Sequence, residues 1–85
     1  MADRPDSRAG ELLADLARDL VDHPDQVEVE AFEEEDGTEV LELRVAEEDL
    51  GKVIGRRGRT VNALRVVMRA SATRHGGRVL VDVVD

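Results

Sequence analysis

The sequence predicts an α+β domain of order α-β-β-α-α-β, with a three-stranded mixed sheet and three helices packed on one face. Three observations carry this expectation. Apolar residues recur at helical spacing after Ser7. Two alternating apolar segments are joined across Asp36-Gly37. A glycine-broken helical stretch from Glu47 to Arg74 then leads into the alternation Val79, Val81, Val83. With 85 residues and no internal repeat, the chain is expected to be one small domain over 8–85, preceded by a polar tail over 1–7 that reads as disordered.

Ser7, at the end of that tail, supplies an N-cap for the first helix, because a short hydroxyl side chain accepts from an N–H that no helical carbonyl reaches. Ala9, Leu12, Leu13, Leu16, Ala17 and Leu20 form the apolar stripe, with Asp15, Arg18, Asp19 and Asp22 on the other side. Pro24 ends the helix by steering His23 out of the helical region. From Gln26 to Phe32 the alternation Val27, Val29, Ala31 predicts a strand; Phe32 falls out of phase, which predicts a bulge or a strand end near Ala31. Asp36-Gly37 predicts the hairpin turn, since glycine tolerates positive φ. Leu41, Leu43 and Val45 predict the neighbouring strand, with Glu42 and Arg44 facing out. Glu47, Glu48 and Asp49 stand at the positive end of a short helix whose Leu50, Val53 and Ile54 share one face, and Gly55 closes it. The next helix runs from about Arg59 to about Arg74, with Val61, Leu64, Met68, Ser71 and Ala72 inward and Gly76-Gly77 as its stop. A two-helix crossover then leads to the last strand, expected parallel to the second.

Charge is divided along the chain. The net charge is −8, yet residues 1–49 carry 18 acidic and 4 basic side chains, a net of −14, whereas residues 50–85 carry 2 acidic and 8 basic, a net of +6. Potential acts within a Debye length of roughly 8 Å at physiological salt, so a compact positive surface can work on an acidic protein. No cysteine is present, which excludes disulfides and thiolate metal sites. The polar N-terminus and the lack of a run of about 20 apolar residues lead to the expectation of a cytoplasmic protein without a membrane span. Enzymatic chemistry finds no support: there is no cysteine nucleophile, no Ser/His pairing and no G-x-x-x-x-G-K-[ST]. His23 and His75 are isolated in sequence, and Glu33-Glu34-Glu35-Asp36 lacks the alternating ligand spacing of a calcium loop. No cofactor, metal or small-molecule substrate is expected.

The basic charge begins where Gly55-Arg56-Arg57-Gly58 joins two helices. Gly55 and Gly58 remove side chains that would keep a phosphate backbone away, and Arg56 and Arg57 put charge between them. Lys52 and Arg59 extend that rim. The helix starting near Arg59 turns its unpaired N–H groups and positive dipole end to the same place. Ile54, with Leu50 and Val61, is read as mainly core with some surface flooring a groove, and Asn62 lies one turn into the helix as a hydrogen-bonding candidate. The single aromatic residue, Phe32, is remote from the loop, so base stacking platforms are absent. On the long helix Ala63, Val66 and Ala70 lie about 120° or more from the inward stripe, a small-residue face open to a second copy or another partner.

The segment Val53-Ile54-Gly55-Arg56-Arg57-Gly58-Arg59-Thr60-Val61, in this element order, resembles the KH domain of bacterial type (type II), in which an extra helix and strand precede a strand-helix-helix-strand core. Leu20-Val21-Asp22-His23-Pro24, Leu41-Glu42-Leu43-Arg44-Val45 and Leu50-Gly51-Lys52 extend the likeness, and the whole chain after the tail is similar to the KhpA family of small bacterial RNA-binding proteins. The resemblance implies a non-catalytic RNA-binding function, with about four single-stranded nucleotides clamped beside Gly55–Gly58, acting as an RNA chaperone or post-transcriptional regulator. RNA rather than single-stranded DNA rests on the resemblance alone. It further implies a homodimer or a heteromer with a second KH-domain protein. The alternative is a protein-interaction module or a structural subunit of a ribonucleoprotein, with incidental RNA binding.

Overall fold

In the computed structural model, which describes residues 7–84, the Ser7 hydroxyl accepts the Gly10 N–H at 3.0 Å and starts helix α1 (Arg8–Leu20). Of the tail expected to be disordered over 1–7, residues 1–6 lie outside the described residues, whereas Ser7 is ordered and buried because its hydroxyl caps α1. Gly10, Leu13, Ala14 and Ala17 are the buried positions of α1, and Ala9, Leu12 and Leu16 pack partly against the core. Leu20, expected in the stripe, is exposed because the helix ends with it. A 3₁₀ turn over Pro24–Gln26 follows, so Gln26 belongs to that turn and strand β1 spans Glu28–Glu33.

Strand β1 pairs antiparallel with β2 (Glu39–Arg44) in unbroken register from Glu28↔Arg44 to Glu33↔Glu39. The bulge or strand end expected near Ala31 is therefore absent, the strand running on to Glu33. Ala31 faces the helices while Phe32 faces the other way and pairs with Val40, so both belong to a regular strand with apolar residues on each face. The irregularity sits at the hairpin instead. There the Glu34 N–H donates to the Thr38 carbonyl at 2.8 Å, the Gly37 N–H donates to the Glu34 carbonyl at 2.9 Å, and Gly37 takes φ +89°. The Asp36 carboxylate accepts the Thr38 N–H at 2.9 Å, which fixes the turn. Val45 lies just past the end of β2 and packs partly on the core.

After a 3₁₀ turn over Glu47–Asp49 come α2 (Leu50–Ile54), α3 (Arg59–Arg74) and β3 (Val79–Val83). The end of α3 is sealed twice: Gly76, at φ +78°, donates its N–H to the Thr73 carbonyl at 3.1 Å, and Gly77 donates to the Ala72 carbonyl at 2.9 Å. The chain then enters β3 parallel to β2, giving sheet order β1-β2-β3. The α+β order read from the sequence is the observed one. Leu13, Leu41, Leu43, Val53 and Met68 are fully buried where the helices meet the sheet. Truncating one such Leu or Met to alanine costs about 2–5 kcal/mol, a large part of the roughly 5–15 kcal/mol that holds a domain together.

Asp49 stands at the start of α2, the positive end at which the sequence puts it, and its carboxylate is fully buried there. It accepts the Asp22 N–H at 3.2 Å, the His23 N–H at 2.9 Å and the His23 Nδ1–H at 2.9 Å. One side chain thereby caps the backbone leaving α1 and ties it to the segment that starts α2. His23, isolated in sequence, is its partner in space. The hydrogen bond to Asp49 lifts the His23 imidazole above its ordinary 6.5. Partial desolvation opposes this, and the charges of Asp49, Glu48 and Asp22 add to it. Burial alone would push the Asp49 carboxyl up. The bonds from the His23 ring and the two N–H groups outweigh it and hold the carboxyl below 3.8.

The two contributions to stability have opposite pH limits. The imidazolium contribution is complete below 6.5 and lost as pH rises through the raised folded value. The carboxylate contribution is present above 3.8 and lost as pH falls through the lowered one. Asp49→Asn should lower the unfolding temperature by several degrees near pH about 6, with the gap to wild type narrowing toward pH about 8 as His23 loses its proton. A gap that stays constant over this window in thermal scans would contradict a charged pair.

Candidate nucleic-acid interface

The turn from α2 into α3 is made by backbone that only certain residues can supply. Gly55 stands at φ +78°, ψ 170°, a region essentially confined to glycine, and its N–H donates to the Gly51 carbonyl at 2.8 Å, which ends α2. Space adds a second restriction: a Cβ on Gly55 would strike the Thr60 hydroxyl and come within 2.8 Å of the Thr60 backbone nitrogen. Gly58 differs. It is left-handed at φ +75°, ψ 14°, but a Cβ there would meet only Asn62 Nδ2, at 3.8 Å. Glycine is thus required at Gly55 by both conformation and packing, and at Gly58 by conformation, with open space above it. Between them Arg57 holds φ 58°, ψ 26°, the one positive-φ residue other than glycine among those described. This conformation costs roughly 1–2 kcal/mol for a residue with a side chain.

The result is a tight positive projection. Arg56, Arg57 and Arg59 are exposed, and none forms an ion pair with a described carboxylate. The N-terminus of α3 carries no side-chain cap, so its dipole end opens onto the same surface. Lys52 is placed differently from its sequence reading: its Nζ lies 3.1 Å from Asp22 and 3.8 Å from Asp49, which joins it to the buried carboxylate and leaves less free charge at the rim.

Ile54, read as mainly core, is 38% exposed beside the loop. Helix α2 has only five residues, so Val53 alone reaches the core fully, while Leu50 is half-buried and Ile54 offers apolar surface. Val61 is buried under the start of α3 as expected. Asn62 is exposed, and its Oδ1 accepts from Arg65 Nη1 at 3.3 Å; Arg65 Nε in turn donates to the Val81 carbonyl at 3.3 Å. A polar bridge therefore runs from the first turns of α3 to β3, a strand at the sheet's edge. Arg65 was missed in the sequence reading. Its signal was present, since at helical spacing it falls beside the inward Val61 stripe and so belongs to the border facing the sheet.

On the outer side of α3, Ala63, Val66 and Ala70 are all exposed, Val66 at 62%. Val67 extends this apolar face at 47% exposure. Among the described residues no cluster of His, Asp and Glu is arranged to hold a metal ion, and no helix is long and apolar enough to cross a membrane.

Residues 10–83 match the family KhpA/KhpB, KH domain. The RNA-binding protein KhpA of Clostridium acetobutylicum is 45% identical over 74 residues, 87% of this chain and 97% of that protein. The RNA-binding protein KhpA of Leifsonia xyli is 55% identical over 73 residues, 86% of this chain and 92% of that one. In shape the chain is similar to a crystal structure of Aquifex aeolicus Era bound to GDP.AlF4-, with a TM-score of 0.62 at 19% identity, covering 88% of this chain and 29% of Era's. That likeness concerns the fold alone. The matched span takes in α1 from Gly10, both glycines of the loop and all three strands, and the chain belongs to the KhpA/KhpB family of KH domains.

Proposed function

We propose that this chain is a non-catalytic, cytoplasmic single-stranded RNA-binding protein that clamps about four nucleotides beside the Gly55–Gly58 loop and serves as an RNA chaperone or post-transcriptional regulator. The observation that carries this reading is the loop itself: three exposed arginines with no ion pair to a described carboxylate, next to a helix start without a side-chain cap, on a turn with open space over Gly58. Relatives that carry the name RNA-binding protein KhpA support it. Phosphates lie against Arg56, Arg57, Arg59 and the first N–H groups of α3. Bases lie over Ile54 and toward Asn62 and Arg65, where the donors and acceptors at the edge of β3 begin. Lys52 contributes chiefly by holding α2 to Asp22 and Asp49.

Affinity from one such groove is modest, because few groups touch the strand and the only aromatic side chain, Phe32, lies on the far face of the sheet. A second groove on a partner raises it through effective concentration. The exposed face Ala63, Val66, Ala70, with Val67, is where a second copy or a second KH-domain protein packs, its small residues allowing helix axes to come close.

Fluorescence anisotropy of labelled single-stranded RNA tests the site. Wild type should bind with a log–log salt slope of about −2 to −3, as three or four phosphate contacts on a single strand require. The folded Arg56→Asp, Arg57→Asp double variant should lose binding, and single-stranded DNA of the same sequence should bind more weakly than RNA. Equal RNA binding by both proteins would remove the loop from the site. In sedimentation at micromolar concentration wild type should be a dimer and Val66→Glu a monomer; a 9.4 kDa species for wild type throughout would defeat the homodimer.

A further inference from the structure

We propose that the open face of the sheet is a docking surface for a cationic polypeptide segment carrying an apolar anchor, separate from the RNA-binding loop. The strand register places Phe32 beside Val40 and Val40 beside Leu80, an apolar row across all three strands on the side away from the helices. Leu80 is 57% exposed, and Phe32 and Val40 are half-buried. No described helix covers this row, so it gives nothing to the core.

The surroundings of the row select the partner. The next row is Glu30, Glu42 and Asp82, three carboxylates directly opposite one another, an arrangement that repels itself. Among the described residues Arg44 pairs with Glu30 alone, at 3.6 Å. At the hairpin a shallow groove of about 670 Å³ is lined by Phe32, Val40 and the acidic run Glu33, Glu34, Glu35 and Asp36. Asp36 pairs with Arg78 at 3.1 Å, and Glu34 and Glu35 beside it are exposed. A phosphate backbone or an anionic lipid surface is repelled by such a face. An arginine or lysine fits it: the aliphatic stem lies on Val40, the charge sits over the Phe32 ring and between carboxylates, and a neighbouring leucine-like residue covers Leu80. The arginine loop lies on the helical side of the sheet, so both surfaces can be filled at once. The chain then joins an RNA strand to a basic protein segment.

The probe is an arginine-rich peptide with leucine anchors, titrated into the ¹⁵N-labelled full chain. Amide shifts should centre on Phe32, Val40, Leu80, Glu30 and Glu42. Replacing the peptide's leucines by serine should weaken binding about tenfold, and Leu80→Ser in the protein should do the same. If Leu80→Ser fails to fold, the serine peptide on wild type still separates anchored docking from diffuse attraction. Equal binding of the two peptides, shifts spread over every acidic segment, or no shift at all would overturn the proposal. So would a concentration-dependent shift at Leu80 without peptide, which would give the face to a second copy.

Discussion

The turn at Gly55 is the constraint on which the site depends. A backbone angle that only glycine takes readily, packed against Thr60, sets the direction in which α3 leaves α2. That direction has two consequences. It lifts Arg56 and Arg57 clear of every described carboxylate, and it leaves the start of α3 uncapped beside them. An acidic protein is thus able to present a local cationic surface, because over a few ångströms the nearest charges matter more than the sum. Arg57, exposed between the two glycines in a left-handed conformation that costs a residue with a side chain free energy, is held there by the flanking structure.

Asp49 supports that turn from behind. Helix α2 is too short to be stable by itself, and it gives one fully buried side chain to the core. What fixes it is the buried carboxylate just before it, bonded to the backbone that leaves α1 and to His23, with Lys52 of α2 reaching both Asp49 and Asp22. A charge without partners in this position would be strongly unfavourable. With three hydrogen bonds it becomes a clamp between the first helix and the element that carries the loop. Stability and loop position are therefore linked through Asp49.

Most of the fold was legible because its signals are local. The Ser7 cap, the glycine stops after α2 and α3 and the alternation in β3 each act within a few residues. The parallel placement of β3 followed from the length of its crossover. What escaped reading is long-range or two-sided. The Asp49–His23 pair spans 26 residues, and nothing in Glu47-Glu48-Asp49 marks the third carboxylate as the buried one. Phe32 suggested a bulge because one apolar face was assumed, whereas the sheet has a second, in which Phe32, Val40 and Leu80 are in phase. At the site, the loop glycines and arginines were visible as a motif. Ile54 was read as mainly core with part of its surface at the groove, because helical spacing does not reveal how short α2 is, and Arg65 was passed over because its partner, the Val81 carbonyl, belongs to another element.

In the proposed function a single strand of RNA lies along the loop and the first turns of α3, on the helical side of the sheet. The most direct measurement is photocrosslinking of a thiouridine-substituted single-stranded RNA to the full chain, with the attachment sites read by mass spectrometry. The account predicts crosslinks within Ile54–Asn62 and at Arg65, and none on Phe32, Val40 or Leu80. Crosslinks concentrated on the strands' open face or on α1, with the loop unmodified, would contradict it.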